Sequence, residues 1–218
     1  MVRRGPRSSN EPGMDFALYL VTDRTIARRP LPEVVEECVN AGLRAVQLRE
    51  KDLPARDLFE MALSLAEITR RAGARLLVND RADVALAAGA DGVQRTHLSL
   101  PVEALRRIGP PEFLIGASVH SESEARQAAA EGADFLVFGP VYDTPSKRQY
   151  GRPQGLEALR QLVAAVDCPV VAIGGITPER ACEVLDAGAV GIAVISSILG
   201  SERPADATKA FLDALGRA

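Results

Sequence analysis

The sequence predicts a single α/β domain of the (β/α)8 TIM-barrel class, a parallel eight-stranded barrel sheathed by helices. Three observations lead there. Five times an apolar helical pattern ends in Ala-Gly or a close variant and runs directly into a short aliphatic segment. The intervening stretches carry a 3.6-residue apolar period, which marks amphipathic covering helices. The strand-like segments are aliphatic on both faces, as expected for parallel βαβ units buried on both sides. A doubly wound open sheet would need a topological switch point, and the uniform repeat offers none.

Taken in order, the first strand is FALYLV at 16–21, followed by a helix whose Val34, Val35, Cys38 and Val39 share one face. NAGLRAVQL at 40–48 ends that helix in glycine and supplies strand 2. Leu58, Met61, Leu65 and Ile68 line the next helix, and RAGARLLV at 71–78 supplies strand 3. AAGADGVQ at 87–94, AEGADFLVF at 130–138 and DAGAVGIAVI at 186–195 repeat the helix, cap and strand pattern for strands 4, 6 and 8. FLIGASV at 113–119 and PVVAI at 169–173 give strands 5 and 7 without the glycine cap. Glycine at these junctions suits a left-handed helix end. Residues 1–14, basic and then rich in Pro, Ser and Asn, read as a flexible tail, and 15–218 as one catalytic domain without an internal linker.

Composition narrows the function. The 218 residues include 18 Gly and 14 Pro, 47% are hydrophobic and 25% charged, which is ordinary for a globular chain. A net charge of −3 gives no basic field for nucleic acid, and 4% aromatics without Trp gives little stacking surface for bases. No apolar run reaches the roughly 20 residues of a membrane span. Cys38, Cys168 and Cys182 match no metal spacing, which with their odd count points to reduced thiols in the cytoplasm. A homo-oligomer is compatible with the sequence and is not specified by it.

In such a barrel, function belongs at the C-terminal ends of the strands. Two polar clusters gather there. Gly174-Gly175 after strand 7, followed by Thr177 as N-cap and Pro178 in the first turn, together with Ser196-Ser197 after strand 8, has the form of a phosphate cradle. A plain glycine turn before a capped helix is the alternative. The second cluster joins Arg49, Lys51 and Lys147 with neutral Asn79 and the carboxylate of Asp80. Cations around one carboxylate suit a diphosphate held with Mg2+, although solvated loop charges would give the same letters singly. Gln47, at a strand end, can read an aminopyrimidine edge.

At these residues the sequence becomes familiar. LYLVTDR (18–24), QLREKDL (47–53), LLVNDRADVALAAGADGVQ (76–94), GASVH (116–120), FGPVYDTPSK (138–147) and VVAIGGITPERACEVLDAGAVGIAVISSI (170–198) together resemble the thiamine phosphate synthase family. That family includes the closely similar thiazole tautomerases. The resemblance implies a transferase of thiamine biosynthesis that joins hydroxymethylpyrimidine diphosphate to hydroxyethylthiazole phosphate, plain or carboxylated, and releases pyrophosphate. It implies that Gln47, Arg49, Lys51 and Asn79 bind the pyrimidine diphosphate beside Ser118, with Lys147 on the diphosphate and Asp80 on Mg2+. Lys51, Lys147 and His120 would be the catalytic residues. Thr144, Pro145, Ser146, Gly174, Gly175, Ile195 and Ser196 would hold the thiazole phosphate.

One stretch departs from the family pattern, which after strand 4 is roughly GVHLGQxDLP. Here residues 92–101 read GVQRTHLSLP, and Ser99 stands where the family has a second metal-binding Asp. Arg95 either offsets diphosphate charge in place of the metal or extends its stem along apolar surface to the mouth; the part played by His97 stays open. The departure keeps a thiazole tautomerase in view, in which His120 would move the proton. A phosphate-ligand binder without chemistry is a third reading.

Overall fold

The computed structural model describes residues 14–144 and 153–216. Its eight strands are β1 (Leu18–Val21), β2 (Ala45–Leu48), β3 (Arg75–Asn79), β4 (Gly92–Arg95), β5 (Leu114–Val119), β6 (Phe135–Phe138), β7 (Val170–Ile173) and β8 (Gly191–Val194). Every neighbouring pair is parallel, and β8 pairs with β1, so the sheet closes in sequence order. The helices are α1 (Leu31–Asn40), α2 (Ala55–Ala72), α3 (Ala82–Ala88), α4 (Val102–Ile108), α5 (Glu122–Ala130), α6 (Gly155–Ala164), α7 (Ala181–Asp186), α8 (Ser196–Leu199) and α9 (Pro204–Leu215). The predicted barrel is therefore the observed one. All five repeat glycines, Gly42, Gly73, Gly89, Gly132 and Gly188, have positive φ, as left-handed helix ends require.

Strand alternation sorts the side chains into two cores. Leu20, Val46, Leu76, Val93, Ile115, Leu136, Ala172 and Ile192 face outward and pack under the helices. Tyr19, Ala45, Leu77, Leu114, Phe135, Val171 and Ala193 fill the barrel interior. Phe16, Tyr19 and Phe135 form an aromatic cluster in that filling, with ring centroids 5.3 to 5.8 Å apart. A packed interior leaves no pore, so ligands must bind at an end. Gly116 on β5 leaves room within the filling: a Cβ there would sit 2.3 Å from the Gln94 Oε1 and 2.5 Å from the Phe135 ring.

The loop after β7 differs in detail from the capped helix expected. Thr177 occupies the position before the turn but caps no backbone N–H, and Pro178–Arg180 is a 3-10 turn leading into α7. The reason is local. The Thr177 hydroxyl is drawn to the Glu179 side chain, whose pKa it lowers.

Candidate functional site

The C-terminal ends of β2 and β3 bring Gln47 and Asn79 together. Gln47 is buried, and its Nε2 donates to Asn79 Oδ1 at 3.0 Å. That bond leaves the Gln47 carbonyl oxygen as an acceptor and the Asn79 amide hydrogens as donors on neighbouring strand ends. Arg49 follows two residues after Gln47, one position past the end of β2. Arg49 is half-buried and Lys51 exposed on the same rim.

Deeper in the barrel lies a polar chain. Gln94 is fully buried on β4; it receives the Tyr19 hydroxyl at 3.4 Å and donates to Ser118 Oγ at 3.1 Å. Burial holds the Tyr19 phenol well above its ordinary pKa, so it stays a donor. The sequence reading placed Ser118 at the mouth but passed over Tyr19 and Gln94. The signal was present in principle: each is a polar side chain at an inward position of an otherwise aliphatic strand.

Asp80 begins the β3 loop with φ 65°, and its carboxylate accepts a short hydrogen bond from the Ser99 hydroxyl. Thr96 N donates to Ser99 Oγ at 2.8 Å, which fixes the β4 loop against Asp80. Ser99 therefore does stand at the Asp80 carboxylate. Arg95, at the end of β4, has a buried Nε without a partner among the described residues, and His97 is exposed on the same loop. No group of three or more His, Cys, Asp or Glu side chains suited to a metal occurs among the described residues. Mg2+ needs only one or two carboxylates when phosphate oxygens complete its shell, so Asp80 with a hydroxyl beside it still fits the ion.

Across the mouth, His120 ends the β5 segment. Its Nδ1 lies 2.8 Å from the Gly139 carbonyl, which can only accept, so Nδ1 carries the hydrogen of that bond, and in the neutral ring Nε2 keeps its lone pair. Gln154 Nε2 donates to the His120 carbonyl at 3.0 Å, and His120 N donates to Glu124 at 2.7 Å.

The loops after β6 and β7 are seated on each other. Val141 N donates to Ile173 O at 2.9 Å and Tyr142 N to Gly174 O at 3.0 Å. Gly174 and Gly175 have φ 104° and 65°, and a Cβ on Gly175 would meet Asp143 O at 2.7 Å. Tyr142 is tied to α7 through Glu183 at 2.5 Å and lies under the Arg180 guanidinium at 4.5 Å. Burial and Glu183 push its phenol up to about 12. Thr144 thus starts from a base fixed beside Gly174-Gly175, while Pro145, Ser146 and Lys147 lie outside the described residues. Ile195 and Ser196 open α8 on the adjacent strand. The N–H groups of Gly175 and Ser196 donate to no backbone acceptor among the described residues.

Two clefts elsewhere lack such chemistry. One, at the opposite barrel end, holds Asp15, Arg75 and Asp91, already joined in ion pairs. The other, between α5 and the start of β7, is lined mostly by small and apolar residues, with Arg126 and Asp167 at its edge.

A family model described as thiamine monophosphate synthase matches residues 18–198. The thiamine-phosphate synthase of Methanoculleus marisnigri is 48% identical over 206 residues, 94% of this chain and 98% of that protein. That of Moorella thermoacetica is 44% identical over 202 residues, 92% of this chain and 96% of the other. The solved thiamine phosphate pyrophosphorylase of Pyrococcus furiosus superposes with a TM-score of 0.85 at 42% identity, covering 93% of this chain and 96% of its own. 3-Hexulose-6-phosphate synthase from Salmonella typhimurium, at 16% identity and a TM-score of 0.73 over 92% and 99% of the two chains, shares the barrel alone.

Proposed function

The chain belongs to the thiamine monophosphate synthase family and is a transferase of thiamine biosynthesis, and we propose that its mouth joins hydroxymethylpyrimidine diphosphate to hydroxyethylthiazole phosphate. The observation that carries this reading is the pairing of two anion-ready groups on one barrel face. Arg49, Lys51 and Asp80 lie on the β2 and β3 side, and Gly174, Gly175 and Ser196 on the β7 and β8 side. Two phosphorylated substrates that must meet require that layout.

Gln47 and Asn79 present an acceptor and donors to the pyrimidine edge, and Ser118, backed by Gln94 and Tyr19, would border that edge. The bond between the hydroxymethyl carbon and the diphosphate oxygen breaks with its electron pair passing to the oxygen. Charge grows on the leaving group at that moment. Arg49, Lys51 and Lys147 would stabilise it, and preorganised cations at a developing charge are commonly the largest catalytic contribution. The thiazole nitrogen then donates its lone pair to the pyrimidine-stabilised carbon, and pyrophosphate is released. Asp80, with Ser99 on its carboxylate, would hold Mg2+, which when bound offsets diphosphate charge.

On the other side, the Gly174-Gly175 backbone, Ser196 and Ile195, with Thr144, Pro145 and Ser146 from the β6 loop, would orient the thiazole phosphate. This chemistry needs no general base. The Nε2 lone pair of His120 is the one feature that thiazole isomerisation would use, and relatives named as synthases favour coupling. A cytoplasmic setting is consistent with three free cysteines and no membrane-crossing helix among the described residues. The test is turnover: both substrates with Mg2+ should yield thiamine phosphate and pyrophosphate in equal amounts, and no product from either pairing would refute the assignment.

A further inference from the structure

The segment Arg49-Glu50-Lys51-Asp52 alternates cation and carboxylate. Neighbouring opposite charges weaken one another's field, which would blunt two cations intended for a polyanion. The structure separates the two signs. Glu50 is only 5% exposed, and its oxygens accept from Thr22 Oγ1 at 2.7 Å, from the Arg24 N–H at 3.1 Å and from Arg24 Nη1 at 3.1 Å. Asp52 accepts both arms of the same guanidinium, Nη1 and Nη2, at 2.6 Å each. That contact draws the Asp52 carboxyl down to about 2. The Thr22 hydroxyl that donates to Glu50 also accepts the Arg49 N–H at 2.8 Å, so the β1 and β2 loops are bonded through one network. Arg49 and Lys51 form no ion pair with any described residue.

We infer that Arg24 is a positioning residue for the diphosphate subsite: by taking both Glu50 and Asp52 toward the β1 loop, it leaves the charges of Arg49 and Lys51 uncompensated for a polyanionic ligand and fixes the backbone that carries them. The inference rests on the proposal above that Arg49 and Lys51 meet the diphosphate. One guanidinium serving two acids in a fork is a task a point charge performs poorly.

Calorimetric titration of the full-length chain with inorganic pyrophosphate tests it, with hydroxyethylthiazole phosphate as the reference ligand. Lys51→Ala and Arg49→Ala should each weaken pyrophosphate; if neither does, the subsite assignment fails and this inference falls with it. Given that loss, Arg24→Gln should weaken pyrophosphate by about tenfold or more while leaving thiazole phosphate within about twofold. The triple variant Arg24→Gln/Glu50→Gln/Asp52→Asn, which removes the acids along with their partner, should recover pyrophosphate affinity to within about threefold of the parent. Parental pyrophosphate affinity in Arg24→Gln overturns the inference. So does a triple variant as weak as the single one, since Arg24 would then serve as loop scaffold only. Circular dichroism checks each fold; should Arg24→Gln unfold, Arg24→Lys, which keeps the charge and loses the fork, should show a smaller loss, and parental affinity there overturns the inference equally.

Discussion

Asp80 is the one described non-glycine residue with positive φ, at 65°, and it receives the hydroxyl of Ser99. A left-handed aspartate is tolerated because its short polar side chain bonds locally, but it is uncommon enough to mark a position set by its surroundings. Ser99→Asp places a second carboxylate directly on that site. The half-saturating Mg2+ concentration for synthase turnover should fall by about tenfold, since two carboxylates bind a hard cation more strongly than one; an unchanged value would show that the ion binds elsewhere. His120 marks the other side of the mouth. Its Asn variant keeps a hydrogen-bonding side chain and loses the Nε2 lone pair that could accept a proton, so coupling should fall by less than about tenfold, the scale of one lost hydrogen bond. A loss of about 100-fold or more would make His120 an acid/base and favour the isomerase reading. Residues with charge or a known motif were legible before the structure. Arg24, Tyr19 and Gln94 lie within those motifs, but their roles were not legible, because they depend on contacts 24 to 75 residues away in sequence.

Among the elements, the glycine-capped repeat was the most legible feature, since only a residue without Cβ ends helix after helix in a left-handed turn before a buried strand. The turn after β7 was less so: Thr177 and Pro178 carry the letters of a capped helix, yet the Thr hydroxyl turns to Glu179 and the chain makes a 3-10 turn. Gly175 is constrained twice, by φ 65° and by Asp143 O lying 2.7 Å from any Cβ. Gly175→Ala should therefore displace the β6 loop and weaken thiazole phosphate by about tenfold, with pyrophosphate nearly unaffected. Equal weakening of both ligands would mean the two halves of the mouth are not separate. On α1, burial pushes the Cys38 thiol up to about 11 from 9.0, partly countered by Thr208 of α9. Below pH 9 both folded and unfolded thiols are neutral; between pH 9 and 11 only the unfolded one ionises. Stability should fall across that window by about 2 to 3 kcal/mol, measured as a decline in urea midpoint that Cys38→Ala removes. A decline that survives the substitution would assign it to other groups.

At the scale of the whole molecule, closure of β8 onto β1 converts eight separate strand ends into one ring. The β2 and β3 ends proposed for the diphosphate and the β7 and β8 ends proposed for the phosphate then lie on one rim of a filled barrel, with no domain movement needed to bring them together. The aliphatic repeat announced this ring in the sequence, and the polar strand ends marked the two clusters proposed to bind anions. The depth of the mouth was not legible, because it depends on Gly116 making room for Gln94 beside Phe135. The coupling proposed for this mouth requires two distinct anion sites filled together. Titrating hydroxyethylthiazole phosphate into chain saturated with pyrophosphate and Mg2+ measures this. One equivalent should bind with an affinity at least equal to that of the pyrophosphate-free chain; competition, with thiazole phosphate displacing pyrophosphate mole for mole, would contradict it.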